Sequence, residues 1–130
     1  MTQTNQIDLF LKDLKRLRKR YPSIDKDLTI FAKALLVRLP DKLPDTYRIP
    51  LGKEYETDPV FKTKSFSCKS LGGGKQSGIR LIYAYNDTSE IVTFIEIYHK
   101  NEKTNHDADR ITAFLKSEFN PSNKTDDVSE

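Results

Sequence analysis

The sequence predicts an α+β domain: an N-terminal helical hairpin packed on a small antiparallel β-sheet, with a C-terminal helix. Two observations predict it. Apolar residues recur first at helical spacing, change to strand-like runs after residue 59, and return to helical spacing after residue 105. Turn-forming residues fall between those blocks, with prolines at 22, 40, 44, 50 and 59 and glycines at 72, 73, 74 and 78.

Phe10, Leu14, Leu17 and Tyr21 make one apolar stripe, with lysines and arginines on the other faces, and Pro22 stops this helix. Ser23 or Asp25 is expected to cap a second helix, whose stripe is Leu28, Phe31, Leu35 and Leu39 and which ends at Pro40. So short a turn predicts an antiparallel hairpin. Residues 40–59 read as irregular. "VFKTKSFSCKSL", "GIRLIYAY" and "EIVTFIEIYHK" read as strands, with "NDTSE" turning the last two into a hairpin. A final helix is expected from Asn105 or Asp107, with Ala108, Ile111, Leu115 and Phe119 inward, and a short leading strand near Gln6–Leu9. Residues 1–119 are read as a single domain and 120–130 as a polar, disordered tail.

A chain of 130 residues with 36% apolar and 32% charged residues supports one modest core under a highly charged surface. "ALLV" and "RLIYAY" are far shorter than a membrane span, so no membrane partner is expected. "MTQTNQIDLF" lacks a basic region followed by an apolar stretch, so no secretory signal is expected there. The single Cys68 has no partner for an internal disulfide and reads as a small strand residue, which suits a reducing cytoplasm.

The net charge of +3 hides segregation. Residues 12–20 hold six basic side chains against one acid, and residues 62–80 hold five with no acid, whereas 120–130 carries three acids and one lysine. Clustered cations point to a polyanionic partner, although a basic helix face is commonly just solvated. "LGGGKQSG" is not a nucleotide-binding loop: Lys69 stands where the first glycine belongs, Gln76 where Ser or Thr belongs, and a strand follows instead of a helix. It reads as a flexible connection between strands, carrying charge.

"VFKTKSFSCKSLGGGKQSGIRLIYAY" followed by "EIVTFIEIYHKNEK" resembles the core of the RelE/ParE toxin superfamily, nearest its RelE and HigB branches, and "FLKDLKRLRKRYPSIDKDL" is similar to that family's helical hairpin. The resemblance spans residues 7 to 118. It implies the toxin of a type II toxin–antitoxin module. RelE-like members cleave messenger RNA on the ribosome without a metal or other cofactor, while ParE-like members inhibit DNA gyrase. Carried over, the family's K-x-K pair falls on Lys62 and Lys64 and its phosphate-binding arginine on Arg80. The arginine past the last strand falls on Asn101, flanked by Lys100 and Lys103, and the helical tyrosine falls near His106–Asp107, where there is none. His99 matches branches in which a histidine works at the strand's end.

Such cleavage needs a base for the 2′-hydroxyl, cations for charge growing on phosphorus, and an acid for the departing 5′-oxygen. A guanidinium suits the middle role because it binds phosphate oxygens in a fork. The catalytic candidates are therefore Lys62, Lys64, Arg80, His99 and Lys100, with a crowded lysine as base and His99 as first candidate acid. Lys69, Lys75 and Lys103 are expected to contact RNA, and Lys12, Lys15, Arg16, Arg18 and Lys19 to contact the ribosome or a cognate antitoxin. Whether Glu96 or His99 shares Arg80's face depends on a one-residue register choice. A gyrase inhibitor and an inactive nucleic-acid-binding module stand as alternative readings.

Overall fold

In the computed structural model, which describes residues 3–52, 58–74 and 76–119, strand β1 (Gln3–Gln6) leads into helices α1 (Asp8–Arg20) and α2 (Ile24–Arg38). Strands β2 (Thr46–Arg48), β3 (Val60–Thr63), β4 (Ile79–Asn86) and β5 (Ile91–His99) follow, and helix α3 (Ala108–Phe119) closes the fold. The sheet order is β1–β5–β4–β3–β2. β5, β4, β3 and β2 pair antiparallel, but β1 pairs parallel to β5, so the sheet is mixed where a purely antiparallel one was expected. The two helices and three strands between β1 and β5 give the chain the length a parallel return needs.

The hairpin α1–α2 covers one face. Phe10, Leu14, Leu17, Tyr21, Leu28, Phe31 and Leu35 are buried there with Ile79, Leu81, Tyr83, Phe94 and Ile97, as the helical spacing requires. Ser23 holds the cap position of α2, but its hydroxyl donates to Asp27 (2.7 Å) and meets Ser70 Oγ (2.7 Å) instead of capping the helix backbone. Those contacts fasten the 3-10 turn Lys69–Leu71 to the start of α2. "VFKTKSFSCKSL" is thus a strand only to Thr63; Phe66 and Cys68 still alternate inward, without a ladder partner.

On the other face α3 rests on Val60, Ile82, Ala84 and Ile95 through Ile111 and Leu115, each burial contributing about 1.5–3 kcal/mol. Asp107 Oδ1 accepts the Arg110 N–H (3.0 Å), which caps α3. Ala108 is exposed instead of inward, and the Phe119 side chain and residues 120–130 lie outside the described residues.

A bulge positions the site. Ile82 pairs with Glu96 but Tyr83 pairs with Phe94, leaving Ile95 unmatched, so Ile95 and Glu96 both face α3. β1 covers β5 only to Phe94, and side chains satisfy the edge beyond it. Arg110 donates to the Ile95 carbonyl (2.8 Å), Asp13 accepts the Ile97 N–H (3.1 Å), and Glu102 accepts the His99 N–H (3.0 Å).

Candidate functional site

Residues opposite each other in an antiparallel ladder share a face. Arg80 pairs with Tyr98, Ile82 with Glu96, Lys62 with Ile82 and Tyr47 with Lys62. Lys62, Arg80, Glu96, Tyr98 and Tyr47 therefore stand on the α3 face, with Glu96 and Tyr98 buried and Tyr47 exposed. Ile79 pairs with His99, which sends the imidazole to the hairpin face.

The cluster is built around Tyr98, which is fully buried. The Lys103 ammonium lies 5.0 Å and the Lys62 ammonium 5.9 Å from its ring centroid. Lys103 is ion-paired with the buried Glu96, whose other carboxylate oxygen accepts the Asp107 N–H (2.7 Å). One carboxylate thus anchors the turn that leads into α3, and with it His106. The Tyr98 hydroxyl and His106 Nδ1 are both buried without a hydrogen-bond partner.

These surroundings shift protonation. Burial lowers the Lys62 pKa, the neighbouring Lys64 and Arg80 charges lower it further, and Glu96 opposes them. His106 is also lowered, first by burial and then by Lys62 and Lys103, against Glu96 and Asp107. Tyr98 is raised to about 12, by burial and then by Glu96, so it remains a neutral phenol at physiological pH.

Beside this cluster Lys64, Arg80 and Lys100 line an open cleft of about 210 Å³ with Asp45, Gln76 and Gly78. The Lys100 N–H donates to the Gly78 carbonyl (2.8 Å), which places that lysine at the mouth of β4. A phosphate entering here meets three cations and one carboxylate. A larger cleft of about 320 Å³ runs between α2 and the loops near Pro44 and Ser67, but its lining is mainly apolar and holds none of the basic cluster.

Of the side chains singled out from sequence, the structure brings together Lys62, Lys64, Arg80, Lys100 and Lys103. It does not bring His99: that ring is buried, stacks on Tyr21 at 5.9 Å, and accepts the Asn101 N–H at Nδ1 (3.0 Å). Lys69 lies on the helix side, its N–H bonded to Asp27, and Lys75 lies outside the described residues. On α1, Lys12, Lys15 and Lys19 are exposed. Arg16 is bound to Asp13 (3.2 Å) and Glu102 (3.0 Å), and Arg18 pairs with Asp25.

Sequence reading did not single out His106, which the structure sets beside Lys62, Lys103 and Glu96. The signal for His106 was its position among Lys103, Asp107 and Arg110 just before an apolar helical stripe. Among the described residues no three His, Cys, Asp or Glu side chains are grouped to hold a metal ion.

No protein-family model and no curated protein matches the chain. A solved structure does: an archaeal RelE–RelB complex from Pyrococcus horikoshii OT3, with TM-score 0.52 and 12% identity, over 78% of this chain and 98% of that one. At that identity the likeness concerns architecture. With a helical hairpin on one face of a mixed sheet and a C-terminal helix on the other, the chain has a RelE-like fold.

Proposed function

We propose that the protein is the toxin of a toxin–antitoxin module and an endoribonuclease that cleaves messenger RNA on the ribosome, acting in the cytoplasm until a cognate antitoxin covers its basic face or its helical hairpin. One observation carries this reading: Lys62, Lys64, Arg80 and Lys100 converge on one open face, beside titratable groups whose hydrogen bonds are unmade. A solvated surface scatters its charges and pairs its buried polar atoms.

The chemistry follows from the side chains present. The scissile phosphate binds between Arg80 and Lys64, with the guanidinium forking two non-bridging oxygens. The 2′-oxygen attacks phosphorus, the bond to the 5′-oxygen breaks, and a 2′,3′-cyclic phosphate and a 5′-hydroxyl result. His106, held neutral by its lowered pKa, takes the 2′-hydroxyl proton. Lys62, a stronger acid than an ordinary lysine for the same reasons of burial and crowding, protonates the leaving oxygen. Relative to the sequence reading, lysine and histidine exchange roles, and His106 replaces His99.

Brief induction without a partner, followed by primer extension on messenger RNA, tests the reading. Discrete cuts within translated codons are expected. Growth arrest with intact messages and altered DNA supercoiling would move the protein to the gyrase-inhibitor reading, and normal growth with soluble, folded protein would remove the toxin.

A further inference from the structure

Tyr47 is out of place as a packing residue. It sits on β2, the edge strand, and is 52% exposed, whereas Ile49 and Leu51 just beyond it pack against the apolar cluster under α3. Its register partner is Lys62, so its ring stands on the face that carries the basic cluster. The Lys64 ammonium lies over the ring, 5.5 Å from its centroid, and the same lysine lines the cleft with Arg80 and Lys100. Tyr98, the other aromatic on this face, is fully buried with two ammonium groups near it, and has no surface for a ligand.

We propose that Tyr47 is a stacking platform for one nucleobase of the single-stranded RNA whose phosphate lies in the Lys64–Arg80–Lys100 cleft, an inference that rests on the nuclease reading above. Lys64 joins the two subsites, touching the ring on one side and the cleft on the other. A base laid on the exposed part of the ring therefore belongs to the nucleotide at or next to that phosphate. Stacking of this kind tolerates any base, since every base has a π-face, so Tyr47 adds affinity and orients the strand without imposing a sequence. It also favours single-stranded over duplex RNA, because only an unstacked base reaches a protein ring.

The test is binding of the full chain to short RNA probes carrying 2′-O-methyl groups throughout, which cannot be cut. One probe carries 2-aminopurine, and a matched probe is abasic at that position. The wild-type protein should quench 2-aminopurine fluorescence and bind the base-bearing probe more tightly than the abasic one. Tyr47→Ala should lose about 5- to 150-fold in affinity for the base-bearing probe, abolish quenching and bind both probes alike. Tyr47→Phe should keep most of both properties, which separates a stacking ring from a hydroxyl contact and guards against misfolding. Arg80→Ala should weaken both probes by the same factor. Full affinity and quenching in Tyr47→Ala, with Arg80→Ala still weakened, would overturn the platform and leave the nuclease reading intact. Wild-type binding no tighter than to an uncharged control polymer would remove the RNA face itself, and the platform with it.

Discussion

Arg80 stands directly across from Tyr98 on the paired strands β4 and β5. That pairing, with the bulge at Ile95, places Glu96 on the arginine's face and His99 behind the sheet. Arg80 thus looks out over Lys64 and Lys100 with no carboxylate in ion-pair contact among the described residues, although Asp45 lines the same cleft. Such a guanidinium is available to an incoming phosphate.

Arg80→Ala should lower the cleavage rate about 100- to 1000-fold, the loss expected when one preorganised donor to a developing charge is removed. Arg80→Lys should restore only part, because an ammonium cannot fork two oxygens. Both variants should fold, since the side chain stands on the open face. A ribosome-bound cleavage assay beside a thermal melt checks this; a folded alanine variant cutting at the wild-type rate would take Arg80 out of the site.

The two histidines should separate by pH. The folded His106 pKa is below the 6.5 of a free imidazole, so its neutral, proton-accepting form is complete above that value and is lost as pH falls through the lowered one. The folded Lys62 pKa is below 10.5, so its proton-donating form is lost as pH rises through a value short of ordinary lysine. The rate should trace a bell, with its acid limb below pH 6.5. His106→Gln should remove that limb and cost about 100- to 10,000-fold near neutrality. His99→Gln should keep both limbs. A profile that loses its acid limb on changing His99, and not His106, would reverse the assignment.

The helical hairpin was legible because Phe10, Leu14, Leu17 and Tyr21 keep one period and bury one face. β4 and β5 were legible from their runs of β-branched and aromatic residues, which the fold buries on both faces. β1 was placed a few residues late because "QTNQ" lies wholly exposed and has no apolar alternation to declare it. β2 was hidden among prolines, since three residues paired with β3 and a Thr46–Thr63 hydroxyl contact (2.9 Å) leave no pattern. The site divides likewise. Lys62, Lys64 and Arg80 follow from strand position. The face of His99 depends on a bulge that nothing in "TFIEIYH" announces, and His106 depends on how the turn 100–107 folds back onto Glu96.

The basic helix should divide by pairing. Arg16 and Arg18 are held by carboxylates, while Lys12, Lys15 and Lys19 are exposed. Neutralising Lys15 and Lys19 together should reduce the salt dependence of ribosome or antitoxin binding by about 0.7–0.9 in log–log slope for each phosphate no longer neutralised. Neutralising Arg18 should change it less, because its charge is already countered by Asp25. Equal slopes for the wild type and the double-lysine variant with both partners would leave this face merely solvated.

Asp13 and Arg110 form a buried pair that joins α1, β5 and α3, with Arg110 Nη1 2.6 Å from Asp13 Oδ2. Removing one partner strands the other charge, so Arg110→Ala should destabilise the fold by about 3–5 kcal/mol. Asp13 retains the Ile97 N–H and Arg16, which argues for the lower part of that range. Urea unfolding decides it. A cost near zero would mean that water reaches the carboxylate once the guanidinium is gone.

Gly78 opens β4 with φ +90, a region that side-chain-bearing residues avoid, and a Cβ there would sit 2.7 Å from His99 Nε2 and 3.0 Å from Cε1. The ring cannot easily retreat, because Tyr21 stacks on it and the Asn101 N–H holds Nδ1. Gly78→Ala should therefore cost about 1–3 kcal/mol from backbone strain alone, and more from the collision. In a His99→Ala background the collision disappears and only the strain remains, so the two changes should be non-additive by about 0.5–3 kcal/mol. Because Arg80 lies two residues beyond Gly78, the single variant should also cleave more slowly, and the double variant should regain part of that rate. Urea unfolding of the four proteins in this cycle, beside their cleavage rates, reads both effects. An identical cost of Gly78→Ala in the two backgrounds would show that the imidazole yields freely and that His99 is not the wall behind β4.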